Sequence, residues 1–245
     1  MVNESNNKLN VSESFYSLEG EGIYSGRPTI FLRLQSCNLL CGNPNIKNLS
    51  NNWTQKDLVQ DKNATWLCDT IATFMRGKSM TFNEIYNYWY EKEWLNALFL
   101  RDAHVNITGG EPLLQQQNIV KFCEFLRNKT MRKLTIRVET NGIIKPSLDV
   151  YSQIDIFTVS PKLSNSGMNK DKRYIEDSLL WHVNNYDVLS KSIFKFVISN
   201  ESDFVEICED YIDKFGISCD RIWLMPSGSD RDELEEKREW IAELC

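Results

Sequence analysis

The 245-residue sequence predicts an α/β fold, an incomplete (β/α)6 barrel with parallel strands. Three observations predict it. Six short runs rich in β-branched and aromatic residues each end in turn-forming residues. Stretches of helical periodicity lie between them. Strands that alternate with helices imply βαβ units, and their right-handed crossovers wind six such units into an open barrel.

The elements follow in order. "TIFLRLQ" (29–35) is the first strand, and the aromatic-rich "FNEIYNYWYEKEWLNALF" (82–99) reads as one helix. "VNITGGEP" (105–112) is a strand that ends in Gly-Gly. "QNIVKFCEFLRN" then sets Ile119, Phe122, Cys123 and Leu126 on one helical face. "LTIRVETNG" (134–142) is a strand stopped by Asn-Gly, and "IDIFTVSPK" (154–162) one stopped by Pro. After the strand "IFKFVIS" (193–199), "DFVEICEDYIDKFG" groups Phe204, Ile207, Cys208 and Tyr211 and closes on Gly216 as a C-cap. "RIWLMPSG" (221–228) is the sixth strand. The stretch 42–67 breaks the rhythm with Asn43, Asn45, Asn48, Asn51, Asn52 and Asn63, residues that favour turns. It reads as a long loop running into "ATWLCDT". No linker is visible, so residues 1–245 read as one domain with that loop inserted.

Apolar residues are 42% and charged residues 25%, ordinary for a globular protein. Lys and Arg number 28 against 34 Asp and Glu, a net charge of −6, which points away from a nucleic-acid scaffold. "MVNESNNKLN" has no apolar signal segment, and no run approaches the roughly 18 apolar residues of a membrane span. The expectation is a cytoplasmic protein with no membrane partner, in which seven cysteines stay reduced. Cys123, Cys208 and Cys219 read as small buried hydrophobes; Cys245 ends the chain.

In parallel α/β folds, ligands sit at the carboxyl ends of the strands. The chemistry-bearing residues gather there: Cys37; Gly109, Gly110 and Glu111; Glu139, Thr140 and Asn141; Ser160 and Lys162; Pro226. Cys37, Cys41 and Cys68 make a three-thiolate set. Structural zinc wants a fourth ligand, and His104 and His182 lack finger-like spacing to these cysteines. Three thiolates suit an iron–sulfur cluster with one iron left open. Each remaining candidate also has a plainer reading: "TGGEP" as a strand-to-helix turn, Glu139 and Lys162 as solvated side chains, Arg33 as a partner of a surface acid.

"SLEGEGIYSGRPTIFLRLQSCNLLC", "WLCDT" and "NITGGEP" together resemble the radical S-adenosylmethionine superfamily, and within it the 7-carboxy-7-deazaguanine synthase family. That family runs S-x-Q/E-G-E-G, glycine, F-x-R, then C-N-L-x-C-x-x-C-D-T. Here these read Ser17 to Gly22, Gly26, Phe31-Leu32-Arg33, Cys37-Asn38-Leu39-Leu40-Cys41 and Cys68-Asp69-Thr70. The matches recur from about residue 14 to 228. The departure is 26 residues, not two, between the second and third cysteines. The preserved flank of Cys68 reads as an insertion that leaves and returns to one place, because closure entropy grows only slowly with loop length.

The resemblance implies a 4Fe–4S cluster on Cys37, Cys41 and Cys68. It implies S-adenosylmethionine bound by Leu67, Cys68, Asp69, Gly109, Gly110, Glu111, Glu139, Ser160, Pro161, Lys162, Met225, Pro226, Ser227 and Gly228. Among these, Glu111 would accept from the methionine ammonium and Glu139 from ribose hydroxyls. Thr70 would contact Mg²⁺. The implied substrate is 6-carboxy-5,6,7,8-tetrahydropterin, held by Leu18, Glu19, Gly20, Arg33 and Thr108, with Arg33 on the carboxylate and Glu19 on the ring N–H groups. The implied reaction is ring contraction to 7-carboxy-7-deazaguanine with loss of ammonia. A flavodoxin or ferredoxin as electron donor and a homodimer are expected as well. Two other readings stand beside it: an activase that installs a glycyl radical, which has no need of Arg33 and "SLEGEG", and a non-catalytic module whose cysteines are structural.

Overall fold

Among the described residues, eight strands form one sheet: β1 (Lys8–Leu18), β2 (Pro28–Leu34), β3 (Lys78–Thr81), β4 (His104–Gly109), β5 (Ile136–Thr140), β6 (Ile156–Val159), β7 (Ser192–Ile198) and β8 (Ile222–Pro226). Their order is β3-β1-β2-β4-β5-β6-β7-β8, mostly parallel and not closed, as an incomplete parallel β/α barrel requires. The computed structural model describes residues 7–42, 44, 46, 52–184, 191–228 and 230–245. Asn43, Asn45, Asn48 and Asn51 of the stretch 42–67 lie outside the described residues.

The six strands expected from sequence are β2 and β4 to β8. Two more were not expected. β1 runs antiparallel to β2, with Phe15 opposite Phe31 and their rings stacked at 4.8 Å. β3 pairs antiparallel with β1, Lys8 opposite Thr81. β3 is only "KSMT" and carries no periodic signal of its own, so its strand geometry is imposed by the partner.

The chain divides into two compact units. The first comprises Met1–Asn38, Thr73–Thr140 and Pro146–Phe157. Within it β2, β4 and β5 pair in parallel. The helix Gln116–Thr130 presents Ile119, Phe122, Cys123 and Leu126, the expected face, all fully buried. Phe122 meets Phe82 and Trp89 with ring centroids 5.3 and 5.9 Å away. The helix expected over 82–99 is two helices, Phe82–Glu91 and Trp94–Leu100. They part at Glu93, whose φ of 60° leaves the right-handed region. The first starts in a capping box between Thr81 and Glu84.

The second unit comprises Leu39–Ala72, Asn141–Lys145 and Thr158–Cys245. β7 and β8 pair in parallel, and β7 buries Phe194, Phe196 and Ile198 in alternation. The expected helix near 203–216 runs as Glu201–Ile207 and then widens into a π-helical segment, Cys208–Asp213. Ile207 and Tyr211 are fully buried, Phe204 and Cys208 only half-buried, and Gly216 closes the element at φ 67°. Of the three cysteines expected inside, Cys123 alone is fully enclosed, and burial pushes its thiol up to about 12. Cys219 is exposed: it opens the single-turn 3-10 helix Cys219–Arg221, which buries none of its residues. Among the described residues no helix is long and apolar enough to cross a membrane.

Candidate active site

In the first unit, the carboxylates of Glu19 and Glu139 are joined through one amide. Asn106, on β4, donates from Nδ2 to Glu139 Oε1 at 2.8 Å and to Glu19 Oε2 at 3.3 Å. Thr108, two residues on and so on the same strand face, donates to Glu139 Oε2 at 2.8 Å. Arg137, two residues before Glu139 on β5, pairs its Nη2 with Glu19 Oε2, both side chains being 5% exposed or less. The same nitrogen lies 3.3 Å from Thr29 Oγ1, and the guanidinium stacks 4.9 Å from the Tyr24 ring centre. A buried charge pair of this kind persists only when other hydrogen bonds satisfy its atoms. Yet Asn106 Oδ1 and Arg137 Nε are buried with no partner among the described residues. Tyr24 also sits edge-on to His104 at 4.8 Å. Burial, then the charges of Arg137 and Arg27, push the His104 imidazole down to about 4.

Glu19, Thr108 and Glu139 are thus brought together. Leu18 stands 61% exposed at the end of β1, and Gly20 is exposed with no atom within 4 Å of where a Cβ would sit. Arg33 places Nε 2.8 Å from Glu13 Oε1, and its Nη1 reaches Gly109 O at 3.4 Å. It pairs with an acid on β1. Glu111 is fully buried: its carboxylate accepts from Leu113 N–H at 2.9 Å, as the N-cap of Pro112–Gln115, and from Thr140 Oγ1. The glycines beside it answer to the chain itself. A Cβ on Gly109 would lie 2.5 Å from Leu34 O, and one on Gly110 2.5 Å from both Cys37 Cβ and Ser36 O. Gly110 therefore sets how closely β4 approaches the loop that carries the first cysteine.

In the second unit, Cys41 and Cys68 are adjacent despite the chain between them. Cys68 N–H donates to Cys41 O at 3.1 Å. A Cβ on Gly42, whose φ is 87°, would meet Leu67 Cδ1 at 2.6 Å. Cys68 Sγ and Thr70 Oγ1 stand 3.3 Å apart, and Asp69 is exposed between them. Lys162 donates to Ser160 Oγ at 3.0 Å and lies 5.9 Å from the Trp66 ring centre; Pro161 is buried. Met225 and Pro226 end β8. Ser227 is held by Ser199 Oγ at 2.8 Å and by Lys237 Nζ, while Gly228 is exposed. No disulfide joins any of the seven cysteines. Among the described residues no three His, Cys, Asp or Glu side chains are gathered as a metal-holding group.

This chain is 31% identical over 238 residues to the 7-carboxy-7-deazaguanine synthase of Pyrobaculum aerophilum, a match spanning 96% of this chain and 87% of the relative. The chain belongs to the 7-carboxy-7-deazaguanine synthase family. The enzyme of the same name from Leptospira interrogans is 31% identical over 223 residues, across 86% of this chain and 79% of its own. That from Halobacterium salinarum is 28% identical over 264 residues, across 97% and 84%. The crystal structure of QueE from Escherichia coli shares the fold, with a TM-score of 0.59 at 19% identity over 98% of this chain and 92% of that one. No protein-family model matches the chain. Membership of the 7-carboxy-7-deazaguanine synthase family places the chain in the radical S-adenosylmethionine superfamily.

Sequence reasoning passed over two residues that this member of the 7-carboxy-7-deazaguanine synthase family builds into the network, Arg137 and Asn106. Their signal was present. "LTIRVETNG" puts an arginine inside a strand whose neighbours are apolar, and a buried arginine must find an acid. Gln55 and Trp66, in the stretch 42–67, were passed over too; nothing in their sequence context marks them.

Proposed function

We propose that this chain is a radical S-adenosylmethionine enzyme that converts 6-carboxy-5,6,7,8-tetrahydropterin to 7-carboxy-7-deazaguanine with loss of ammonia, in queuosine-type 7-deazapurine biosynthesis. The observation that carries the reading is the near full-length match to the Pyrobaculum aerophilum 7-carboxy-7-deazaguanine synthase. The geometry of the first unit supports it. A pterin edge offers N–H donors, and Glu19 offers a carboxylate held by Asn106 and Arg137, with Thr108 two residues beyond Asn106 on the same strand face. Asn106 Oδ1 adds a buried acceptor with no partner among the described residues. Leu18 and Gly20 flank Glu19 as the exposed rim. Arg33 is the group for the substrate carboxylate, since its planar fork matches one bidentately. Glu13 occupies the Nε edge, so binding would exchange one carboxylate for another.

The donor chemistry of these residues suits the cofactors. Cys41 and Cys68 are locked backbone to backbone, and Cys37 is packed on the bare Cα of Gly110, with soft thiolate donors throughout. Cys37, Cys41 and Cys68 would hold the 4Fe–4S cluster, which when bound supplies the electron that cleaves S-adenosylmethionine. Leu67 to Asp69, Gly109 to Glu111, Glu139, Ser160 to Lys162 and Met225 to Gly228 would hold S-adenosylmethionine. With its carboxylate capping a turn, Glu111 would act there chiefly by shaping the backbone around Gly110. Thr70 would give one hydroxyl to Mg²⁺, an ion that takes few protein ligands. The reading is of one domain, cytoplasmic and homodimeric, served by a flavodoxin or ferredoxin.

Anaerobic turnover tests it. The reconstituted chain, given the pterin, S-adenosylmethionine and a reductant, should form 7-carboxy-7-deazaguanine and ammonia in equal amounts. Cleavage of S-adenosylmethionine with no conversion of the pterin would reject the substrate.

A further inference from the structure

We propose that Gln55, in the stretch between the second and third cysteines, is the positioning residue that holds Cys68 for the cluster; this rests on the reading of Cys68 as a ligand. With 26 residues between Cys41 and Cys68, no short covalent tether sets where the third thiolate stands. Noncovalent contacts must do it.

One is the bond from Cys68 N–H to Cys41 O at 3.1 Å. The other backbone group of Cys68 goes to the inserted stretch itself. Gln55 Nε2 donates to Cys68 O at 2.7 Å, and Gln55 Oε1 accepts from Ala72 N–H at 3.0 Å. Ala72 lies in the first turn of the helix Ile71–Phe74, where backbone N–H groups have no partner within the helix. A single planar amide thus spans the carbonyl of Cys68 and the N–H four residues on, and the turn it fixes also carries Asp69 and Thr70. Glutamine suits this because its amide presents a donor and an acceptor side by side.

Gln55 is itself anchored. It opens the turn Gln55–Asp57, closed by a capping box in which Thr54 N–H and Oγ1 both donate to Asp57 Oδ2, at 2.7 and 2.9 Å. Leu58, next along, is buried. The return arm is pinned in turn: Trp66 Nε1 donates to Asn165 Oδ1 at 2.9 Å, and Thr65 Oγ1 meets Ser199 Oγ at 2.6 Å. The insertion therefore replaces the missing tether with a brace of its own.

The test uses Gln55→Ala and Gln55→Glu. The second keeps an acceptor for Ala72 N–H but sets a carboxylate oxygen against Cys68 O. Two readouts are taken. In the cluster-free protein, alkylation by iodoacetamide is followed cysteine by cysteine by mass spectrometry. In the reconstituted protein, iron loss to a ferrous chelator is timed. Both variants should speed alkylation of Cys68 at least threefold and iron loss at least fivefold, with Cys219 and the buried Cys123 unchanged. Lys56→Ala, at the exposed neighbour, should change neither. Parental rates in both readouts for both variants would overturn the brace while leaving the cluster reading intact. Faster alkylation at Cys123 as well would mark a general loosening and also overturn it. A parent chain that binds no iron overturns the cluster reading, and with it any role for Gln55 toward a cluster.

Discussion

Replacing Arg137 by methionine takes the guanidinium away from Glu19 while keeping a flexible apolar stem in β5. The two side chains are 3% and 5% exposed, so the stranded carboxylate cannot recover solvent. What remains to it is Gly20 N–H at 3.1 Å and a shared Asn106 amide at 3.3 Å. Breaking a buried pair from one side costs about 3–5 kcal/mol. In a chain of this size each kcal/mol moves Tm by about 2–4 °C, so Arg137→Met should melt roughly 6–20 °C below the parent. Glu19→Gln alone strands the arginine and should cost a similar amount. The double variant removes both charges and leaves a neutral side-chain amide at position 19 that still accepts from Asn106; most of the loss should return, because a buried ion pair replaced by neutral groups is often neutral. The assay is thermal and urea unfolding of the four proteins, analysed as a double-mutant cycle. If the double variant is as unstable as the two single losses added, the residues act independently and the network drawn around Asn106 is wrong.

Three further outcomes follow from the same geometry. Gly110→Ala should lose both stability and iron, since its Cβ would meet Ser36 O and Cys37 Cβ at 2.5 Å, whereas Gly20→Ala, with nothing within 4 Å, should melt like the parent; equal melting of the two would discard the close-approach argument. Arg33→Lys keeps the charge but loses the fork, so KM for the pterin should rise by about one to two orders of magnitude, as loss of a charge-assisted bond worth roughly 1.5–3 kcal/mol requires, with iron content unchanged. Parental kinetics in Arg33→Ala would remove Arg33 from the substrate. Burial first, and neighbouring arginines second, hold His104 down to about 4 and His182 down to about 3. The unfolded chain therefore binds more protons over this range, so stability is full above the ordinary imidazole pKa near 6.5 and falls as pH drops from there toward 3. Urea midpoints should decline from about pH 7 to pH 5, and less so in His182→Gln; equal slopes in parent and variant would refute the assignment.

The six parallel strands and the helix face of Ile119, Phe122, Cys123 and Leu126 were legible in the residues, because burial against a sheet demands local apolar periodicity that a linear reading can count. The chemical vocabulary was legible too: three cysteines with their flanks, "TGGEP" and "VETNG" stand as short contiguous strings. What was not legible depends on partners distant in sequence. β3 is a strand because β1 lies beside it, and the helix over 82–99 breaks at Glu93 with no proline or glycine to announce it. Arg33 could be read toward a ligand or toward an acid, and only the fold puts Glu13 within 2.8 Å of it. Glu19 is closed by an arginine 118 residues away, and Gly110 needs its bare Cα because the loop at Ser36 and Cys37 crosses it. The residue types of the site are local and were written in the sequence; their pairings are set by which strands become neighbours, and only the tertiary structure decides that.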